Sequence, residues 1–237
     1  MQFDCRPAGD CAVLVSFEQK ISEDINENVI RLAECIHQAG IHGVEELVPA
    51  FATVMIYYNP LHITCSELIK RIHLIDVSSV SQKKKKMVVH DIPVLYGGDA
   101  GPDLAFIAEY HHLIEQEVIR IHTEEIYRVY MIGFVPGFPY LGGLDSRIHT
   151  PRLESPRLQT PAGSVGIAGQ QTGIYPLTTP GGWRIIGRTP APLFKPEETE
   201  RPVLISPGDA IRFIPITEER YSELMHEDTP QYKGGSY

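Results

Sequence analysis

The sequence lacks the short motifs that mark common nucleotide-binding, hydrolytic and metal-dependent sites. It contains neither the GxxxxGK[ST] phosphate loop nor the GxGxxG dinucleotide fingerprint. It also lacks the GxSxG nucleophile elbow, because the nearest run, Gly163-Ser164-Val165-Gly166, has the wrong spacing. None of the ten histidines has an i, i+4 partner with an acid between them, so we predict no metal site.

Positive charge and long apolar runs are also scarce. The chain has 21 lysines and arginines against 30 aspartates and glutamates, a formal net charge of -9, whereas nucleic-acid binding needs clustered basic residues. No apolar run is long enough to span a bilayer, and Asp4, Arg6 and Asp10 make the start of the chain unlike a signal peptide. We therefore expect a cytoplasmic protein with no nucleic-acid or membrane partner.

Cysteine is rare and unpatterned. All four cysteines lie in the first third of the chain, and no two have the C-x-x-C spacing of a zinc or redox motif. We expect free thiols without a zinc or redox role at Cys5, Cys11, Cys35 and Cys65.

The first third of the chain alternates strand and helix patterns. Apolar runs predict strands, and apolar residues spaced three or four apart predict helices. The predicted order is a strand at 10–17, a helix at 21–36, strands at 44–48 and 53–58, and a helix at 64–75. This β-α-β-β-α order predicts a two-layer α+β domain over residues 1–77. The run Ser78–Lys86, which ends in four lysines, is interpreted as a solvated linker.

From Met87 the pattern changes to a mostly-β domain, which we place at 87–228. Strands are predicted at 87–96, 126–132, 203–205 and 210–216, with short helices at 104–108 and 115–122. Pro102 is interpreted as the first helical residue. The last residues, 229–237, are predicted to form a flexible tail.

Glycine and proline are concentrated in one stretch, Gly133–Pro190. Its 58 residues contain 11 of the 20 glycines and 8 of the 19 prolines, together with several aromatic residues, which indicates many tight turns around an aromatic surface. The stretch has five arginines, no lysine and only two acids. Arginine binds carboxylates and phosphates through a planar pair of donors, so this composition favours recognition of an anion.

Two arginines of this stretch, Arg152 and Arg157, each follow a proline. If their guanidinium groups converge, they could hold an anionic substrate between them. Alternatively, each pairs with a local acid such as Glu154 and the prolines only shape the turn. The sequence leaves both interpretations open.

The aromatic residues of the stretch and one glutamine are further substrate-binding candidates. The rings could line a pocket or fill the interior of a small barrel, and both interpretations stay open. Gln171 lies in a run without charges, where a buried amide would need a hydrogen-bond partner, so we expect it to contact a ligand or a group across the site. The aromatic candidates are Phe134, Phe138, Tyr140, Tyr175 and Trp183.

His122 lies at a predicted helix end, before the strand that leads into Gly133–Pro190. A neutral imidazole there could act as a general base or hold a substrate carbonyl. A lone histidine on a half-apolar helix can equally be a hydrogen-bonded core residue. We carry His122 forward as the candidate catalytic residue.

Four segments together resemble a known protein family: GFVPGFPYLGGLD, TPRLESPR, PAGSVGIAGQQTGIYP and PGGWRIIGRTP. They are similar to the family that contains the B subunit of 5-oxoprolinase, allophanate hydrolase subunit 1 and the Kip-type sporulation kinase inhibitor. The resemblance implies an α+β N-terminal two-layer domain followed by a mostly-β cyclophilin-like barrel domain, in a cytoplasmic protein that works with partner proteins. It also implies a site that includes His122 and supports a role for Arg152 and Arg157.

The family contains three activities, which the sequence does not separate. The first is that of the B component of an ATP-dependent 5-oxoprolinase, which opens 5-oxoproline to glutamate together with a C-type companion and an A component; such a chain is expected to be inactive alone, with the ATP pocket shared with its companion. The second is inhibition of a sporulation sensor histidine kinase through its dimerisation domain. The third, an allophanate hydrolase subunit 1-like role, is less favoured because the amidase Ser-Ser-Lys triad is absent here.

Overall fold

The computed structural model describes residues 2–20, 22–76, 87–200, 202–227 and 234–236. Residue contacts divide the chain into two compact units, Met1–Lys84 and Lys85–Tyr237, which we call the N-terminal unit and the C-terminal unit. The linker predicted at 78–86 lies outside the described residues, as does most of the tail predicted at 229–237.

The N-terminal unit is a four-stranded antiparallel sheet with two helices. Its strands, in the spatial order β1-β2-β4-β3, and its helices are β1 (Asp4–Pro7), β2 (Ala12–Ser16), β3 (Val44–Pro49), β4 (Thr53–Tyr58), α1 (Glu23–Gln38) and α2 (Cys65–His73). Leu32 of α1 and Leu68 of α2 are fully buried in one apolar cluster with Val13 and Ile56 of the central strands. At the start of α2, the Thr64 hydroxyl accepts the backbone N–H of Glu67 at 3.3 Å and so caps the helix.

The C-terminal unit contains a closed barrel. Its strands are β5 (Val88–Tyr96), β6 (Ile126–Ile132), β7 (Pro139–Gly142), β8 (Arg157–Thr160), β9 (Ser164–Ala168), β10 (Gln171–Ile174), β11 (Thr179–Gly181), β12 (Arg184–Arg188), β13 (Ala210–Pro215) and β14 (Gly234–Ser236), and its helices are α3 (Leu104–Tyr110), α4 (Glu115–Glu124) and α5 (Glu218–His226). Seven strands pair in the closed order β5-β12-β9-β10-β7-β6-β13, so the predicted barrel is confirmed. All these pairs are antiparallel except β13 with β5. Strands β8 and β11 form a separate two-stranded ribbon, and β14 pairs with the start of β5.

The barrel strands and two helices share one apolar core. Ile107 of α3 and Val118 of α4 are fully buried in the same cluster as Ile92, Val165 and Phe213 of the strands. This packing stabilises the short helices, since helices of seven to ten residues are marginal in water by themselves.

The structure corrects two local predictions and shows two elements that the sequence analysis missed. No strand forms at 203–205, where Val203 makes only an isolated bridge with Phe194. Helix α3 begins at Leu104 with Asp103 at its N-cap, so Pro102 precedes the helix instead of starting it. The short strand β1 and the helix α5 were not predicted. Among the described residues, no helix is both long and apolar enough to cross a membrane.

The turn between β5 and α3 is fastened to β12, and this contact positions the residues of the candidate site. The Gly97 N–H donates to the Ile186 carbonyl oxygen at 3.1 Å, and the Asp103 N–H donates to the Ile185 carbonyl oxygen at 2.8 Å. Gly101 sits between them, and a Cβ atom there would lie 2.0 Å from the Ile186 oxygen. Only glycine permits this approach.

We expect Gly101→Ala to destabilise the protein by about 3 kcal/mol, because the new methyl group separates the turn from β12. Gly182→Ala is the matched control, since a Cβ atom there makes ordinary contacts, the nearest at 3.7 Å to Pro156. Urea unfolding of the two variants and the parent measures the difference. Equal stability of the two variants would contradict the proposed contact.

Candidate functional site

Three of the five aromatic candidates form a buried cluster. The Phe138 ring lies 5.1 Å from the Tyr175 ring and 5.4 Å from the Trp183 ring, in edge-on arrangements. These side chains are 1%, 1% and 5% exposed. A Cβ atom at Gly173 would lie 3.0 Å from Trp183, so this glycine leaves room for the indole. Phe138, Tyr175 and Trp183 are therefore core residues that support the surface above them, and in this structure they do not line an open pocket.

The other two aromatic candidates reach the surface together with Arg152. Tyr140 is half-buried with its ring 5.9 Å from Trp183, and Phe134 is 61% exposed with its ring 5.8 Å from Phe138. The exposed Arg152 places its guanidinium carbon 5.9 Å from the centre of the Trp183 ring, a cation–π distance. We call Phe134, Tyr140 and Arg152 the surface layer of the site.

Arg157 also contacts Trp183, but its charge is paired. One of its nitrogens donates to the Trp183 carbonyl oxygen at 3.3 Å, and another lies 2.8 Å from a carboxylate oxygen of Asp103. The alternative interpretation of paired arginines therefore holds for Arg157, although the acid is Asp103 and not Glu154. Arg152 lies over the Trp183 ring whereas Arg157 binds the Trp183 backbone, so the two do not form the clamp that we considered.

Asp103 binds a second arginine and the backbone of β12. Its other carboxylate oxygen accepts the Ile185 N–H at 2.6 Å, and Arg184 lies 3.9 Å from the oxygen that binds Arg157. The Arg184 guanidinium also stacks 3.7 Å above the centre of the Phe106 ring. Together with Arg152, these two arginines carry three positive charges, and Asp103 carries one negative charge. The site therefore has a net formal charge of +2, which favours binding of an anion.

Sequence reasoning missed Asp103 and Phe106, and it counted Arg184 among the five arginines of the stretch without giving it a role of its own. Asp103 directly precedes helix α3, where an aspartate is normally explained as a cap, yet here its side chain makes no cap bond. Its partner Arg157 lies 54 residues further along the chain. The sequence held one usable signal for these residues, namely that Arg184 directly follows Trp183, the one tryptophan of the chain.

The two tyrosines of the site keep their protons at neutral pH. Burial raises the pKa of Tyr140 above its ordinary value of 10, although the charge of Arg152 opposes this shift. Burial also raises the pKa of Tyr175, opposed by a hydrogen bond from the Trp183 backbone and by the same arginine. The half-buried Tyr140 can therefore donate a hydrogen bond to an anion held at Arg152.

Gln171 begins β10, two residues before the glycine that packs on Trp183. It is half-buried, and its buried side-chain amide nitrogen has no hydrogen-bond partner among the residues that the structure describes. A buried, unpaired donor is unfavourable, so its predicted contact with a ligand stays a prediction.

His122 lies in the apolar core and not at the surface layer. It is 0% exposed, and its ring nitrogens lie 2.8 Å from the Tyr96 hydroxyl and 2.9 Å from the Thr172 hydroxyl. Its ring stacks on Phe213 at 4.5 Å, and burial lowers its pKa to about 3. Because both nitrogens are engaged inside the core, this geometry supports the structural interpretation of His122 and not a general base.

In the part of the chain that the structure describes, no group of three or more histidine, cysteine, aspartate or glutamate side chains is arranged to hold a metal ion. Arginine and tyrosine give the surface layer groups for charge stabilisation, orientation of an anion and hydrogen-bond donation.

Comparison with known proteins identifies the relatives of this chain. The model of the carboxyltransferase domain, subdomain C and D, matches residues 3–205. The B subunit of 5-oxoprolinase from Bacillus subtilis (strain 168) is 40% identical over 239 residues, which cover 96% of this chain and 98% of the relative.

Two solved structures are also similar. The conserved uncharacterized protein PH0987 from Pyrococcus horikoshii is 48% identical with a TM-score of 0.55, and the match covers 92% of this chain and all of that one. The protein TTHA0988 is 33% identical with a TM-score of 0.75, and the match covers 87% of this chain. The same match covers only 40% of TTHA0988, so there the equivalent of this chain is part of a longer polypeptide.

The burial of His122 makes stability depend on pH. Its pKa of about 3 in the folded protein lies below the ordinary value of 6.5, so below pH 6.5 the unfolded chain binds a proton that the folded protein does not. The stability that comes from burying neutral His122 is complete above pH 6.5 and falls by about 1.4 kcal/mol per pH unit as the pH drops towards 3.

Substitution of His122 tests this pH dependence. We expect the unfolding free energy of His122→Gln, measured by urea unfolding, to fall about 2 kcal/mol less than that of the parent between about pH 7 and pH 5. Identical pH profiles would show that His122 is accessible to protons.

Proposed function

This chain belongs to the carboxyltransferase domain family, subdomain C and D, and on that basis we propose that it is the B subunit of an ATP-dependent 5-oxoprolinase. The alignment with the Bacillus subtilis 5-oxoprolinase protein carries this proposal, because it extends over 96% of this chain at 40% identity. The complex opens the lactam ring of 5-oxoproline to glutamate, and an A component and a C companion complete it.

The substrate explains why an arginine-rich surface is useful. A lactam amide reacts very slowly with water, and phosphoryl transfer from ATP to its oxygen makes the ring carbon a better electrophile. The substrate also carries a carboxylate that must be held still during this transfer, and positioning of this kind contributes much of enzymatic rate acceleration.

We assign the substrate carboxylate to Arg152 and Tyr140. Arg152 is exposed and lies over the Trp183 ring, and in the described contacts no carboxylate is paired with it. Tyr140 keeps its proton because burial raises its pKa, so it donates to the same carboxylate. Arg157 and Arg184 hold their positions through Asp103 and add positive charge beside the carboxylate and the transferred phosphoryl group.

The nucleotide site is completed by the companion. The sequence has no phosphate loop, and the surplus of arginines supplies only part of what a triphosphate needs. Among the residues that the structure describes around Arg152, the contacts include no nucleophile paired with a base. The chain therefore contributes one wall of an active site whose other wall belongs to the C companion.

Reconstitution from the purified components tests this proposal. We expect the isolated chain neither to hydrolyse ATP nor to open 5-oxoproline, and we expect a stable complex with its C companion that buries more than about 1,000 Å². Glutamate formation should appear only when the A component is added. Turnover by the isolated chain, or binding to a sensor histidine kinase without binding to the C companion, would overturn the assignment.

Substitution of Arg152 tests the carboxylate site. We expect Arg152→Ala to weaken 5-oxoproline binding by about 2 to 4 kcal/mol in the reconstituted complex, because the substrate carboxylate then loses its charged donor. Arg152→Lys should recover little of this loss, since an ammonium group cannot reproduce the two parallel donors. The readout is KM for 5-oxoproline.

Two control substitutions separate binding from folding. Arg147→Ala removes an exposed arginine that is paired with Asp145, and its KM should stay within about twofold of the parent. Arg157→Ala leaves Asp103 without its nearest charged partner, and we expect it to lower stability by about 2 kcal/mol. An Arg152→Ala variant with the KM of the parent would exclude the carboxylate site.

A further inference from the structure

Phe134 combines two unfavourable features. It is a large apolar residue that is 61% exposed, and its φ angle is +68°, in the left-handed region that side chains other than glycine rarely adopt. Among the described residues, only His112 shares a positive φ without being glycine, and His112 follows helix α3, where such a conformation is a common way to end a helix. Phe134 does not follow a helix, so it needs another explanation.

The loop fixes Phe134 in this conformation by hydrogen bonds on both sides. The Val135 N–H donates to the Gly133 carbonyl oxygen at 2.9 Å, which closes a three-residue γ-turn with Phe134 at its centre. With a positive φ this is the rarer and more strained form of that turn. The Gly133 N–H donates to the Phe138 carbonyl oxygen at 3.1 Å, and the Phe138 N–H donates to the Val135 carbonyl oxygen at 3.1 Å. The strain is thus built into a rigid loop.

The exposed and strained position of Phe134 contributes little to the stability of the chain itself. Among the described residues, Phe134 has one ring contact, an edge-on approach to Phe138 at 5.8 Å. Backbone strain that hydrogen bonds hold in place, at a residue whose side chain is mostly exposed, is typical of functional positions. A fixed, exposed aromatic ring is also the kind of residue that dominates the energy of protein–protein interfaces.

The position of Phe134 indicates what covers it. Its neighbour Phe138 touches Trp183, over which Arg152 lies, so a molecule docked on Phe134 also borders the proposed carboxylate site. In TTHA0988 the equivalent of this chain makes up 40% of a longer polypeptide, so in that relative the same fold is joined to more protein. The surplus positive charge of the arginines favours a covering surface that carries carboxylates.

We propose that Phe134 is the anchor through which this chain binds its C companion. The ring enters an apolar pocket of the companion that is rimmed by carboxylates, and the docked companion closes over Arg152 and Tyr140. This inference rests on the proposed function, because it takes the companion from it. It moves Phe134 from the predicted substrate wall to the interface with the companion.

The test compares four forms of the full chain in binding to the purified C companion by biolayer interferometry, with the melting temperature of each. Phe134→Ala removes the ring and keeps the strained backbone. Phe134→Gly removes the ring and relieves the strain, because glycine adopts a positive φ readily. Ile114→Ala is the matched control, since Ile114 is 60% exposed and precedes helix α4.

We expect both Phe134 variants to bind the C companion at least about thirtyfold more weakly than the parent, and Ile114→Ala to bind within about threefold. The melting temperature of Phe134→Gly should equal or exceed that of the parent, so its loss of binding cannot be attributed to unfolding. In the reconstituted complex, turnover of Phe134→Ala should recover as the concentration of the companion is raised.

Each other result overturns a definite part of the proposal. If the parent binds the C companion and Phe134→Gly binds equally well, the anchor is wrong while the proposed function stands. If turnover of Phe134→Ala stays low at every concentration of the companion and its KM for 5-oxoproline is raised, Phe134 is a substrate-wall residue after all. If the parent does not bind the companion, both the inference and the proposed function fail.

Discussion

The carboxylate of Asp103 connects the parts of the C-terminal unit on which the candidate site depends. One oxygen accepts the Ile185 N–H and thereby joins the start of α3 to β12, and the other pairs with Arg157 and lies near Arg184. A carboxylate that is 9% exposed is stable only when its hydrogen bonds are satisfied. The turn before it can approach β12 only because residue 101 is glycine. The positions of Arg157 and Arg184 therefore depend on the contact between Asp103, at the start of α3, and β12.

The site is layered, with a buried aromatic support and a polar surface. Phe138, Tyr175 and Trp183 contact one another edge to edge and are nearly inaccessible, so their contribution is rigidity. Arg152 and Tyr140 lie above them, and these are the two residues to which we assign the substrate carboxylate. This division resolves a question that the sequence left open, because some aromatic residues of the glycine-rich stretch belong to the core and others to the surface.

Local features of the fold were predictable from the sequence, and long-range pairing was not. The helices α1 and α2 follow from the spacing of their apolar residues, because that signal lies within a few residues of sequence. Strand β1 was missed since its sequence DCRP is polar and short, and 203–205 was misinterpreted because an apolar run does not show whether a partner strand exists. Arg152 was predicted from its local context, and its role stays a prediction. The pairing of Arg157 with Asp103 and the burial of His122 depend on packing between distant segments, which a single sequence does not reveal.

The closure of the barrel has a consequence for how the protein is made. Strand β13 lies between β5 and β6, and it forms the single parallel pair of the barrel with β5. These two strands begin at residues 88 and 210, so the ribosome synthesises most of the unit before the closing strand emerges. Until then β5 and β6 each present an unpaired edge, and such edges invite pairing with other chains. The nascent protein is therefore vulnerable to aggregation until the last barrel strand has been synthesised. Its need for chaperones should depend on how fast the ribosome translates the region before that strand.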